Sequence, residues 1–280
     1  MTYNSEIGSD SFQNSTRPER VSSVAVLPNR LLQATSHVKS WLSGLARGAG
    51  FEIVNLRRPI QSGLPDDFDQ ADRAAYFRVR PYTQTSAERI FVLRRAVEYV
   101  VAARLAGAIV ECGVWKGGSM MAIAESLLAC EVRDRDLYLF DTFQGMPEPT
   151  VNDGGQVCEV WRQHTEGWNV APLKLVQANL NSTGYPRDRL HYVVGRVEDT
   201  LPDGAPAEIC LLRLDTDFYE STKHELSTLY PLLVPGGVLI IDDYGSFQGS
   251  RKATDEFLRT QPKQIFLSRI DSDARLAIKP

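Results

Sequence analysis

Two acidic clusters stand where apolar runs end. ICLLRLD (209–215) leads into Asp215-Thr216-Asp217, and VLIIDD (238–243) closes on Asp242-Asp243. If these runs are neighbouring strands of one sheet, Asp215, Asp242 and Asp243 converge. Two carboxylates about 4 Å apart repel by roughly 4 kcal/mol at an effective dielectric of about 20, so three together require a proton or a bound cation. Oxygen-only ligands select a hard ion, Mg²⁺ ahead of Ca²⁺ or Mn²⁺. The competing reading is that some of these acids cap helices. Asp215 and Asp217 both precede a helical pattern that begins near Glu220, and capping or ligand support is the main role expected of Asp217.

Other strand ends carry weaker signals. Glu111-Cys112-Gly113-Val114-Trp115-Lys116-Gly117-Gly118-Ser119 follows the run AIVECG. Counting from Gly113, Trp115 replaces the middle glycine of a dinucleotide fingerprint, and no GK[ST] occurs, so a pyrophosphate cradle is disfavoured. An acid before the first glycine suits a ligand with a positive group, an amine or a sulfonium; a generic strand–helix turn is the alternative. Asp141 closes LYLFD, where a carboxylate can accept both ribose hydroxyls of a nucleoside. With Thr142 it equally suits a helix cap. His37, His164, His191 and His224 are scattered and read as structural, and Arg57-Arg58 and Arg94-Arg95 read as solvated faces. Trp161 and Trp168 fall in a long connection, as pocket lining or as packing. No GxSxG is present, which argues against a serine hydrolase of that type.

Alternating elements must position these residues. SAERIFVLRRAVEYVVAARLAG reads as a helix capped by Ser86, with Glu88 in its first turn, Gly107 as its stop, and Ile90, Leu93, Val97, Val100 and Val101 on one face. Strands are expected at 108–113, 137–141, 190–195, 209–215 and 238–243. Helices are expected from SMMAIAESLLAC, near 169–182, from about Glu220 to Leu233, and around 250–260. IFLSRI and RLAIK, separated by DSDA, form a terminal hairpin. Strands this apolar are buried on both faces. The fold class is α/β: a doubly wound, mostly parallel, seven-stranded sheet with an antiparallel C-terminal hairpin. Ligands should bind at the carboxyl ends of its strands. Ahead of it, LLQATSHVKSWLSGLARGAG reads as an amphipathic helix ending at Gly48 or Gly50, residues 51–86 read as irregular, and the first 20 or so as mobile.

Composition narrows the function. The chain has 280 residues, 43% hydrophobic and 24% charged, and a net charge of −4. That balance argues against nucleic acid as partner. The start lacks the apolar core of a signal peptide, and no stretch approaches the ~20 apolar residues of a membrane span. Cys112, Cys130, Cys158 and Cys210 form no CxxC pair, and Cys112 and Cys210 sit in apolar runs, so a structural zinc is not expected. A reducing cytoplasm is the expected location.

The segments VECGVWKGGSM (110–120), LYLFDTFQGMPEP (137–149), VEDTLP (197–202), LRLDTDFYESTKHEL (212–226) and LYPLLVPGGVLIIDDYGSFQGSRKATDEF (229–257) resemble the TylF-type macrocin O-methyltransferase family. The resemblance runs from about Tyr82 to the C-terminus. It implies a class I, Rossmann-like methyltransferase that uses S-adenosylmethionine and Mg²⁺ to methylate a deoxysugar hydroxyl on a natural product. By the same resemblance, Glu111 and Gly113 match the cofactor motif around the methionine end, with Ser119 a polar position beside it, and Asp141 is the ribose-binding acid, followed in the cofactor-binding segment by Thr142 and Phe143. Glu198 and Asp199 lie in the block near the adenine. Asp215, Asp242 and Asp243 are the metal ligands, with Asp215 also the base. Residues 1–80 are expected as a tail and lid or oligomerisation extension before a methyltransferase domain at 81–280. The partners implied are a glycosylated small molecule and, by family habit, further copies of the chain. Where the family often carries Met, this chain has Gln84.

Three other readings stay open at this stage: a catechol or phenol O-methyltransferase, a methyltransferase fold that only binds, and a nicotinamide dehydrogenase. The missing GxGxxG disfavours the last.

Overall fold

The computed structural model describes residues 63–164 and 167–280. The helix expected at 31–50, the tail before it, His37 and Arg57-Arg58 lie outside the described residues.

Seven strands form one sheet: β1 (Ala108–Cys112), β2 (Leu137–Asp141), β3 (Leu190–Val194), β4 (Ile209–Leu214), β5 (Leu233–Ile241), β6 (Ser268–Arg269) and β7 (Arg275–Ile278). Their order is β3-β2-β1-β4-β5-β7-β6. The first five run parallel, β7 pairs antiparallel with β5, and β6 closes the hairpin. The chain reverses direction across the sheet between β1 and β4, where a doubly wound fold opens its binding crevice.

Side chains alternate between the two faces of each strand, and the core divides accordingly. Ile109, Leu137, Leu139, Leu211, Val238 and Ile240 face one apolar layer. It is shared with α1 (Gln70–Val79), α2 (Ala87–Ala102), α3 (Gly118–Ala129) and α5 (Leu173–Asn181). Val110, Cys112, Phe140, Leu212, Leu214, Leu239 and Ile241 face the other. There they meet α6 (Val197–Thr200), α7 (Tyr219–Leu229) and α8 (Gln248–Thr260). By the same parity Glu111, Arg213, Asp215 and Asp242 belong to the α2 side, whereas Asp243 continues the α7 side.

Several element expectations shift. Ser86 does cap α2, accepting from the Arg89 N–H, but the helix ends at Ala102, five residues before Gly107. Gly107 instead leads into β1 at φ +103°, where a Cβ would lie 2.8 Å from the Glu208 backbone. Val101 is only half-buried, and Ala96 takes its place on the buried face. The connection after β2 contains a helix, α4 (Gly155–Gln163), whose two leading glycines hide it from a propensity reading.

The stretch expected to be irregular before residue 86 contains α1, started by a reciprocal cap in which Asp69 and Asp72 accept each other's backbone N–H. Asp72 is then buried and pairs with both Arg94 and Arg95. Arg94 is therefore a structural partner rather than part of a solvated face, whereas Arg95 also pairs with Asp72 but keeps much of its side chain in solvent. The compact unit runs from Leu64 to Pro280. No described helix is long and apolar enough to cross a membrane.

Candidate active site

A cavity opens over the carboxyl ends of β1, β2, β4 and β5, and residues 82–85 ahead of α2 form part of its wall. The turn after β1 fits this place because of its glycines. Gly113 has φ +81°, and a Cβ there would stand 2.1 Å from the Asp215 carbonyl oxygen. The β1 and β4 tips thus approach more closely than any other residue permits. Gly118 has its Cβ position 2.7 Å from the Tyr82 backbone, so residues 82–83 pack on the start of α3. Ser119, in the first turn of that helix, lines the cavity, as does Gly113.

Asp141 also lines it, and its oxygens are already in use. Oδ2 accepts the Val114 and Trp115 N–H groups at 2.8 and 3.0 Å, and Oδ1 accepts the Phe143 N–H at 2.7 Å. Burial raises its pKa against those three N–H groups. A carboxylate offers about four acceptor sites, so room remains on Oδ1 for one ligand hydroxyl rather than for two equivalent bonds. Thr142 lines the cavity while donating to the Gly145 carbonyl at 2.6 Å. Glu198 lines it too, but Asp199 does not and is exposed. Phe143 is turned into the core, 6.5 Å from the Tyr192 ring, and does not line the cavity. Trp161 and Trp168 do not line the cavity; Met146, Pro147 and Asn169 from the same connection do. Gln84 reaches across to donate to Asn169 Oδ1 at 2.9 Å. His164, His191 and His224 are all outside it.

The three expected metal ligands do meet. Asp215, Asp242 and Asp243 each place a carboxylate oxygen so that all lie within 4.8 Å of one another. Asp217 adjoins them, held at φ +66°. Burial, reinforced by the neighbouring carboxylates, pushes Asp215 and Asp243 well above the usual carboxylate range. The same causes push Asp217 to about 7.

Charge counting from sequence omitted a resident cation. Arg213, fully buried, donates through Nη1 to Glu111 and to Asp215 Oδ2 at 2.7 Å, and through Nη2 to Thr85 Oγ1 at 3.0 Å and Asp242 Oδ1 at 2.6 Å. Arg89 takes the other Asp242 oxygen at 2.5 Å and also binds Asp271 and Asp273 of the terminal hairpin turn. Against its burial, the Ala274 N–H, Arg89 and Ser86 hold Asp271 at about 2. Glu111 is the arginine's partner on β1, and its second oxygen has no hydrogen-bond partner among the described residues. It is fully buried, pairs with Arg213 and does not line the cavity. Burial pushes it to about 7, with Arg213 opposing. The missed signal was an arginine inside an otherwise apolar strand, two residues before an acid. Such a charge is buried only with partners.

An open parallel sheet ending in an antiparallel hairpin, with its cavity at the switch point, is the architecture of class I methyltransferases. The profile of the macrocin O-methyltransferase (TylF) family matches residues 58–276, and the chain belongs to that family. It is an O-methyltransferase, and S-adenosylmethionine is its methyl donor.

Among its relatives is 8-demethyl-8-(2,3-dimethoxy-alpha-L-rhamnosyl)-tetracenomycin-C 4'-O-methyltransferase of Streptomyces olivaceus, 35% identical over 69% of this chain and 75% of that one. Mycinamicin III 3''-O-methyltransferase of Micromonospora griseorubida is 33% identical over 63% and 70%. Among solved structures, the O-methyltransferase NovP superposes with a TM-score of 0.66 at 29% identity, covering 71% of this chain and 82% of its own.

Proposed function

We propose that this enzyme methylates a hydroxyl on a sugar carried by a natural product, with a divalent ion, Mg²⁺, held by Asp215, Asp242 and Asp243. The observation that carries the reading is the meeting of those three carboxylates at one wall of the cavity. The names of the tetracenomycin and mycinamicin relatives support the sugar acceptor.

The residues suit a hard cation. All three offer oxygen only. Each Asp242 oxygen keeps a lone pair beyond its arginine bond, and Asp215 is pinned through Oδ2 alone. Burial first, and then the neighbouring carboxylates, raise the proton affinity of Asp215 and Asp243 despite Arg213.

A bound divalent ion supplies acidification of a coordinated hydroxyl. S-adenosylmethionine supplies a methyl on a sulfonium that departs as a neutral thioether. The remaining work belongs to side chains of this chain. Asp215 Oδ1 takes the acceptor's proton, because Oδ2 is occupied by Arg213. Asp141 orients the donor through its last acceptor site. The turn at Gly113 and Ser119 accommodates the methionine portion, and Glu198 borders the adenine. Alignment of the two reactants supplies a gain of up to ~7–11 kcal/mol. Glu111 acts through Arg213.

Assembly as a homo-oligomer, a lid role for the N-terminal extension and residence in the cytoplasm rest on the family resemblance and the composition. Sedimentation tests the first.

The acceptor is tested with methyl-labelled donor, Mg²⁺ and paired pools of glycosylated natural products and simple catechols, followed by fragmentation mass spectrometry. Label on a sugar oxygen is expected. Label only on aromatic oxygens would replace the sugar reading, and donor binding without transfer to either pool would remove it.

A further inference from the structure

The mechanism leaves one charged group at the centre of the site without a reacting role. Arg213 is the largest fully buried side chain among the described residues, and its guanidinium touches four residues: Glu111 on β1, Thr85 ahead of α2, Asp215 at the tip of β4 and Asp242 at the tip of β5. On charge alone it is an odd neighbour for a cation site, because a fixed positive charge opposes a second one. Geometry offers another reason. A guanidinium is a planar fork whose N–H directions are rigid, so it can hold several carboxylates at set angles, which an ammonium cannot. Here the fork occupies Asp215 Oδ2 and Asp242 Oδ1, and Thr85 gives it a neutral anchor from a different element.

We infer that Arg213 is a positioning residue of the metal site: it fixes the side-chain angles of Asp215 and Asp242 so that their remaining lone pairs face one point. The inference rests on the divalent-ion reading above. Charge-conserving variants test it. Arg213→Lys keeps the positive charge and loses the fork. Thr85→Val keeps every charge and the guanidinium itself, removes only its neutral anchor, and guards against a folding defect in the lysine variant.

Mn²⁺ titrations of the full chain, read by calorimetry or by loss of the free-ion electron paramagnetic signal, measure the site without turnover. S-adenosylhomocysteine titrations run in parallel. Loss of a group that orients metal ligands typically costs 10–100-fold in metal affinity. Arg213→Lys should therefore weaken Mn²⁺ at least ~10-fold, and Thr85→Val by a smaller factor of about 3. S-adenosylhomocysteine binding should change less in each case. Mn²⁺ affinity unchanged or tightened in folded Thr85→Val and Arg213→Lys overturns the inference, as does an equal loss of both ligands, which would mean general collapse. Wild-type protein that binds no Mn²⁺ removes the divalent-ion reading and this one together.

Discussion

Glu111 on β1 stands directly opposite Arg213 on β4 in the parallel ladder, and the two buried side chains form an ion pair. Two residues further along β4, on the same face, Asp215 takes the same Nη1. Strand register thus places one buried guanidinium between the carboxylates of Glu111 and Asp215. Removing one member of such a buried group leaves the others uncompensated, which costs more than the group contributes when intact.

Asp215→Asn should abolish most methyl transfer. Loss of a general base typically costs 10²–10⁴-fold, and here the same residue is a proposed metal ligand. Donor binding should persist, because the contacts proposed for the donor lie on Asp141, Gly113 and Ser119, which line the cavity, and not on Asp215. Single-turnover rates with saturating donor and Mg²⁺, alongside S-adenosylhomocysteine calorimetry, check both halves. Near-normal turnover would remove Asp215 from the proton path.

Stripping divalent ions with EDTA should eliminate activity, and Mg²⁺ should restore it. Asp243→Asn should raise the Mg²⁺ concentration needed for half-maximal rate by an order of magnitude or more, without changing donor affinity to the same degree. A fully active, metal-free preparation confirmed by elemental analysis would refute the divalent-ion reading.

Stability should fall as pH rises through the neutral range, and Glu225 should contribute part of that slope. Glu225 is fully buried behind Thr216, whose hydroxyl donates to it at 3.1 Å, and burial pushes its carboxyl up to about 8 from 4.5. Between those values the folded chain holds a proton that the unfolded chain releases. The stabilisation is complete below the unfolded value and is lost as pH passes the folded one. At ~1.4 kcal/mol per pKa unit the upper bound is roughly 5 kcal/mol. Glu225→Gln, a neutral near-isostere, should flatten the urea-denaturation slope between pH 5 and 8. An unchanged slope would mean that Glu225 is ionised in the fold. Glu111 and Asp217, each pushed to about 7, and Asp215 and Asp243, raised well above the usual carboxylate range, add to the same slope.

Gly113→Ala should damage the site more than an exposed glycine change would. The new Cβ meets the Asp215 carbonyl at 2.1 Å and sits at φ +81°, a region that costs other residues about 1–3 kcal/mol before any clash. The β1 and β4 tips must then separate. We expect loss of S-adenosylhomocysteine binding together with a melting temperature several degrees lower.

Asp72→Ala should lower stability without touching the chemistry. It leaves Arg94 and Arg95 without their buried partner and removes half of the α1 cap. Breaking such a pair costs about 3 kcal/mol. Thermal denaturation should register the loss, while the rate per folded molecule at low temperature stays close to wild type.

Much of this protein was legible along the chain. Runs such as LYLFD and ICLLRLD are apolar throughout, so they belong in a sheet covered on both faces, and acids placed just beyond them fall at the ligand-binding edge whatever the helices do. The convergence of Asp215, Asp242 and Asp243 followed from that rule once β4 and β5 were taken as neighbours. Local patterns reached less far. α1 and α4 escaped notice because capping acids and leading glycines resemble turns until a tertiary partner chooses the helix. Arg94, Arg95, Glu111 and Arg213 were assigned to solvent or ligand, or passed over, because the partners of a buried charge lie 20 to more than 100 residues away in sequence. Strand alternation determines which face a side chain takes. Only the register between strands and the packing of α2 against the sheet decide which charges meet there, and a buried ion pair exists only through that meeting.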